Sequence, residues 1–159
     1  MRRRLFIPSL LVLVGCGAFA TGPDVGPCAT NQGIEICVDR SSYPPGASVN
    51  LTMMNRGTRT VFEDFCSVKV VGKTDPSVPF EDRYDPTLSC GIDVTPEEII
   101  ARMVELAPGA SIQEQHRLPT FAFQGLYRVN VWFLDENGDR ISMSPFVTGT
   151  FLVIPTAGK

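Results

Sequence analysis

Residues 125–134 (GLYRVNVWFL) alternate strictly: Tyr127, Val129, Val131 and Phe133 fall on one side, and Leu126, Arg128, Asn130 and Trp132 on the other. A period of two suits a strand with one buried face, and a helix of period 3.6 would scatter the same residues around its surface. The run ends at Asp135-Glu136-Asn137-Gly138-Asp139, whose Asn-Gly pair is a strong hairpin signal. Shorter runs of the same kind recur. In residues 33–39, Ile34, Ile36 and Val38 alternate with polar groups; in residues 47–55, Val49, Leu51 and Met53 share a face; residues 66–71, 111–118 and 141–154 add further strands. Pro, Gly, Asn and Asp separate them at regular intervals, which predicts an all-β domain. About seven strands in one domain point to a two-sheet sandwich.

Two stretches break the pattern. Residues 74–93 are polar, Pro-rich and acidic, and read as a long excursion. Thr95-Pro96-Glu97-Glu98 has the residues of a helix start, with a Thr cap, Pro at the first position and Glu at the third. A short helical turn near 95–100, followed by a strand, is the expectation there.

The chain begins MRRRLFIPSLLVLVGCGAFA. Three arginines precede an apolar run of about ten residues, too short to cross a hydrocarbon core about 30 Å thick as a helix. Residues 1–15 therefore read as a secretory signal peptide. Leu13-Val14-Gly15-Cys16 resembles the bacterial lipobox, which implies that Cys16 receives lipid and that the chain is cut just before it. An ordinary signal peptide cut near Ala18-Phe19-Ala20 is the alternative. With lipid on Cys16, residues 16–32 form a tether, Gly- and Pro-rich over 21–27, and the folded domain spans residues 33–155. The expected address is the bacterial cell envelope, with the protein exported and anchored to a membrane. A single buried acyl chain holds only marginally, but two hold stably.

Cysteine number agrees with this address. The five are Cys16, Cys28, Cys37, Cys66 and Cys90. An odd count in an exported chain asks for an explanation, and lipidation of Cys16 leaves four. Four cysteines allow three pairings, of which Cys28–Cys37 and Cys66–Cys90 close the most local loops. On the chain-entropy model each bridge contributes roughly 2.5–3.5 kcal/mol. No C-x₂₋₄-C pair is present, which argues against a zinc site. The whole chain carries a net charge of −3; Arg2, Arg3 and Arg4 are the only charges before Cys16, so a chain cut there carries −6. A mildly acidic protein without a Lys/Arg cluster is a poor nucleic-acid binder.

The turns around these strands carry a resemblance. Pro45-Gly46-Ala47-Ser48-Val49 opens one strand, which Asn55-Arg56-Gly57 closes. Leu106-Ala107-Pro108-Gly109-Ala110-Ser111 precedes another, and Gly125-Leu126-Tyr127-Arg128-Val129 opens the longest. This layout resembles the bacterial immunoglobulin-like domains of exported proteins. It is similar to the group that includes the BsuPI-type proteinase-inhibitor domains, over residues 33–154. The resemblance implies an immunoglobulin-like β-sandwich in which Tyr127 forms a tyrosine corner. Val129 stands where antibody domains place a cysteine, so their inter-sheet disulfide is missing.

Catalytic chemistry finds little support. His116 is the one histidine, it falls in a strand expected to leave it exposed, and no G-x-S-x-G surrounds a serine. Asp135, Asn137 and Asp139 begin like a calcium loop, but Arg140 and Phe146 occupy the positions that need Gly and Glu. Met53, Met54, Met103, Met143 and His116 could together suggest copper(I), but Met53 and Met54 are adjacent and in a strand face opposite sides, and core filling accounts for the methionines better. No catalytic residue, metal or cofactor is therefore expected. Loops on rigid scaffolds carry binding disproportionately, so Asp75, Glu81, Asp82 and Asp85 mark the expected partner-binding loop. The expected function is that of a non-enzymatic surface or periplasmic lipoprotein. Its sandwich would act as a protein-interaction module toward a protein or envelope partner, with a proteinase inhibitor as the alternative. Intact-mass analysis of membrane-extracted protein should find cleavage before Cys16 and a lipid increment; an unmodified Cys16 or a mature start at Thr21 would refute the lipobox reading.

Overall fold

A computed structural model describes residues 26–84 and 94–154. Cys16, Asp85, Cys90 and the expected signal peptide lie outside the described residues. Two main sheets face each other. The first has the order β1-β2-β4-β9: β1 (Cys28–Asn31), β2 (Ile34–Val38), β4 (Ser48–Asn55) and β9 (Ser111–Arg117). The second has the order β3-β12-β10-β6-β7: β3 (Ser42–Tyr43), β12 (Phe151–Val153), β10 (Gly125–Val131), β6 (Val68–Lys73) and β7 (Glu81–Tyr84), with β11 (Phe146–Val147) also paired to β10. A small third sheet pairs β5 (Val61–Glu63) with β8 (Val104–Leu106), and one helix, α1 (Pro96–Arg102), precedes β8.

The connectivity is that of an immunoglobulin-like sandwich. In that lettering β4 and β9 are strands B and E, and β12, β10, β6 and β7 are G, F, C and C′. β3 runs parallel to β12, and the other pairs are antiparallel. Twelve strands are described where about seven were expected. The difference lies in short pieces such as β3, β5 and β11, each too short to show a period in sequence.

Alternation decides which faces meet. Val49, Leu51 and Met53 of β4, Ile34, Ile36 and Val38 of β2, and Tyr127, Val129 and Val131 of β10 are all buried, as is Phe133 just beyond β10. Phe133 meets Phe146 edge to face at 5.2 Å, and Tyr43 meets Phe151 in the same way at 5.1 Å. Tyr127 does form the tyrosine corner: its hydroxyl donates to the Phe123 carbonyl at 3.0 Å. Its ring lies over Gly72, its direct partner on β6; a Cβ there would sit 2.6 Å from Tyr127 Cε1. The glycine is thus the floor on which the aromatic rests.

The β1–β2 hairpin turns on Gln32 (φ 47°) and Gly33 (φ 83°), two left-handed residues as a type I′ turn requires. Cys28 and Cys37 stand opposite each other in that hairpin and are joined by the expected disulfide. β1 is a full member of the first sheet, so residues 28–31, expected in the tether, belong to the sandwich. Cys66 is also disulfide-bonded. At α1 the capping box is complete: Thr95 Oγ1 accepts from the Glu98 N–H, and Glu98 accepts from the Thr95 N–H. The acidic excursion is not loop throughout, because β7 pairs with β6 inside it. No helix among the described residues is long and apolar enough to cross a membrane.

Phe133→Ala should destabilise the domain by about 3–5 kcal/mol, as buried aromatic truncations do. Trp132→Ala, on the opposite face, should cost markedly less. Gly72→Ala should cost about 1–3 kcal/mol through its clash with the Tyr127 ring. Urea unfolding of the three variants checks this. Equal losses for Phe133 and Trp132 would mean that both faces of the strand are buried.

Candidate functional site

Chemistry-bearing groups converge at two places. The first is sealed. Ile112, Glu114, His116 and Leu118 share one side of β9 and its continuation, so the apolar residues at the two ends carry an acid and an imidazole inward with them. His116 is only 1% exposed, which overturns the expectation of an exposed strand histidine. Its Nε2 lies 3.0 Å from Glu114 Oε2. Phe65, in the 3-10 turn Phe65–Ser67, stacks on the imidazole at 4.7 Å between centroids.

From β5, Glu63 brings a second carboxyl to Glu114, and it is fully buried. Two ionised carboxylates cannot hydrogen-bond to each other, and Glu63 has no donor of its own. Burial, then the proximity of Glu114 and the charges of Glu114 and Asp64, push the Glu63 carboxyl far up, so it keeps its proton beside Glu114. Burial acts to raise Glu114 as well, but the hydrogen bonds from His116 and Glu63 outweigh it and hold Glu114 low. Next to this cluster, Asp64 accepts from the Cys66 N–H and pairs with Arg102 at 3.1 Å, tying α1 to the 3-10 turn. Glu63 and His116 are almost wholly covered, whereas the Glu114 side chain keeps 15% of its surface exposed. No group of three His, Cys, Asp or Glu side chains among the described residues is arranged to hold a metal ion.

The second place is open. A cleft of about 490 Å³ lies at one end of the sandwich, where Asp135 and Ile141 of the β10–β11 connection face the β4–β5 loop and the β1–β2 turn. These are the B–C and F–G loops, which form the binding end of antibody variable domains. Ile34, Val61 and Ile141 supply apolar lining, and Gln32, Thr58, Arg59 and Thr60 form an exposed polar rim.

The walls are fixed by hydrogen bonds. Asn55 is buried and fully used: its Nδ2 donates to the Arg59 and Leu106 carbonyls, and its Oδ1 accepts from the Gly57 N–H. The backbones at Gly33 and Gly57 touch; a Cβ on Gly33 would lie 2.9 Å from Gly57 Cα. Arg56 donates its N–H to the Gly33 carbonyl, and its guanidinium grips Glu35 through two hydrogen bonds. Across the cleft, Asp135 Oδ1 accepts from the Asn137 and Asp139 N–H groups, which lowers its pKa and closes the hairpin. That bonding is a turn's own, in keeping with the hairpin reading over a calcium loop.

The acidic residues singled out in sequence do not converge in the same way. Asp75 accepts from Ser77 in a local turn. Glu81 and Asp82 are neighbours on β7, at the far end of the sandwich from the cleft, where β6 passes Lys73 opposite Leu126. Met53 is a core residue and Met143 is 97% exposed, so the methionines do not gather at one site. The sequence reading missed Glu63, Glu114 and Arg59. The one signal for the sealed cluster was the alternation from Ile112 to Leu118, which places Glu114 and His116 on the core side.

The raised Glu63 pKa has a definite sign. A carboxyl bound to its proton in the fold but not in the unfolded chain stabilises fully below the unfolded value, and this stability is lost as pH rises toward the folded value. While Glu63 stays neutral, each pH unit above the unfolded value costs about 1.4 kcal/mol. Glu63→Gln keeps the donor and removes the titration. The variant should melt above wild type at pH 8, with the gap closing toward pH 4.5. A gap that is the same at every pH would show that Glu63 is ionised in the fold.

No family model and no curated protein matches the chain. Among solved structures, it is similar to a Bordetella pertussis protein provisionally named ApaA, at 16% identity and a TM-score of 0.44, over 82% of this chain and 97% of that one.

Proposed function

We propose that this domain is a non-enzymatic binding module, exported and held to a membrane by lipid on Cys16, which engages its partner through the cleft at the B–C and F–G end. The supporting observation is the cleft itself, whose walls are braced by Asn55, the Gly33–Gly57 contact and the Arg56–Glu35 pair. Binding that orders a loop costs free energy, and a loop already fixed avoids that cost. The buried cluster supports the non-enzymatic part of the reading, because the one histidine of the chain lies behind Phe65 and Glu114.

Thr60→Trp fills the cleft mouth from an exposed position and should leave the melting temperature unchanged. Full-length wild type should capture an envelope partner that Thr60→Trp fails to capture. Equal capture by both would place recognition elsewhere. A captured protease, blocked one to one, would instead establish the inhibitor function.

A further inference from the structure

We infer that the cleft takes a ligand with a carboxylate head on an apolar body, either a small organic acid or the C-terminal residue of a peptide, with Arg59 receiving the carboxylate. This inference rests on the binding-module reading and adds the ligand's chemistry. Ile34, Val61 and Ile141 give the cleft an apolar lining, which a purely ionic ligand such as phosphate would leave unsatisfied. Arg59 stands at the rim, and its guanidinium makes no ion pair among the described residues. Its neighbour Arg56, by contrast, is fully engaged by Glu35. The backbone carbonyl of Arg59 is pinned by Asn55, so the position from which the side chain reaches is fixed. A free guanidinium on a fixed backbone matches the two oxygens of a carboxylate with paired N–H donors.

The rim adds polarity of the right kind. Thr58, Thr60 and Gln32 offer hydroxyl and amide groups to whatever polar atoms flank the carboxylate. Asp135 also lines the cleft, with Oδ1 occupied by its own hairpin. Its charge repels a second negative group, so the site favours a ligand with a single anionic head lying on the Arg59 side.

Titration of the full chain with N-acetyl-glycyl-leucine, its C-terminal amide, and hexanoate tests the assignment. At least one of the two acids should bind. If the peptide acid binds, it should bind about tenfold or more tightly than the amide, since only the acid carries the charge that Arg59 receives. Binding of the peptide acid without hexanoate identifies a C-terminus, and the reverse identifies a small acid. Arg59→Gln should reduce acid binding by a similar factor at an unchanged melting temperature. Equal binding of acid and amide, no binding of either acid, or an Arg59→Gln variant that binds like wild type would overturn the inference. If the acids fail while Thr60→Trp still abolishes partner capture, the ligand class falls and the module reading stands.

Discussion

Two inward-facing apolar stripes meet between the sheets, and the Tyr127 ring over Gly72 is the contact on which their registry depends. β10 is the central strand of its sheet, paired on one side to β6 and on the other to β11 and β12. Its core residues therefore fix the height of every neighbour. Tyr127 fills the space that Gly72 leaves empty, stacks toward Phe151, and anchors the preceding loop through its hydroxyl. A one-residue slip of β10 would turn this whole set to solvent. The missing antibody-type disulfide is no handicap, because close-packed aromatics occupy the centre instead. The Cys28–Cys37 bridge instead ties the outermost strand of the first sheet to its neighbour.

From that frame the two polar regions follow. β9 is an edge strand, and the side that faces inward carries Glu114 and His116 between Ile112 and Leu118. Closing the edge with β5 and Phe65 buries them, and burial forces Glu63 to keep its proton. Buried polar groups of this kind come at some cost in stability, and several here, both Glu63 oxygens and His116 Nδ1 among them, have no hydrogen-bond partner among the described residues. At the far end of β4 the opposite solution applies. Asn55 ends the strand and spends all its hydrogen-bonding groups on holding the loop open, leaving a space beside it.

Much of the fold was legible because strand alternation, turn residues and capping are local. The inward set of β10, the Thr95 capping box and the Asn137-Gly138 turn each depend on residues within a few positions of one another. The Cys28–Cys37 pair was legible because it closes a short local loop, although the two-residue turn that sets the two opposite each other was not read. The short strands were not legible, since β3 or β11 has too few residues to show a period. Nor was the buried cluster, because Glu63 and Glu114 meet across 51 positions and a strand histidine in isolation looks like any surface residue. Three separate segments line the cleft, and nothing in Gln32, Arg59 or Ile141 alone points to the others. Arg59 becomes informative only when Arg56 is seen to be paired and Arg59 is not.

The sandwich holds the cleft in a pre-formed state. Amide hydrogen exchange tests it most directly. The N–H groups of Arg56, Gly57 and Gly109, bonded to Gly33, Asn55 Oδ1 and the Asn55 carbonyl respectively, should exchange nearly as slowly as those of β4 and β10, and far more slowly than those of the exposed residues 74–79. Exchange of these loop amides at the rate of the exposed loop, with β4 and β10 still protected, would show that the cleft walls open independently of the sandwich and would contradict the account.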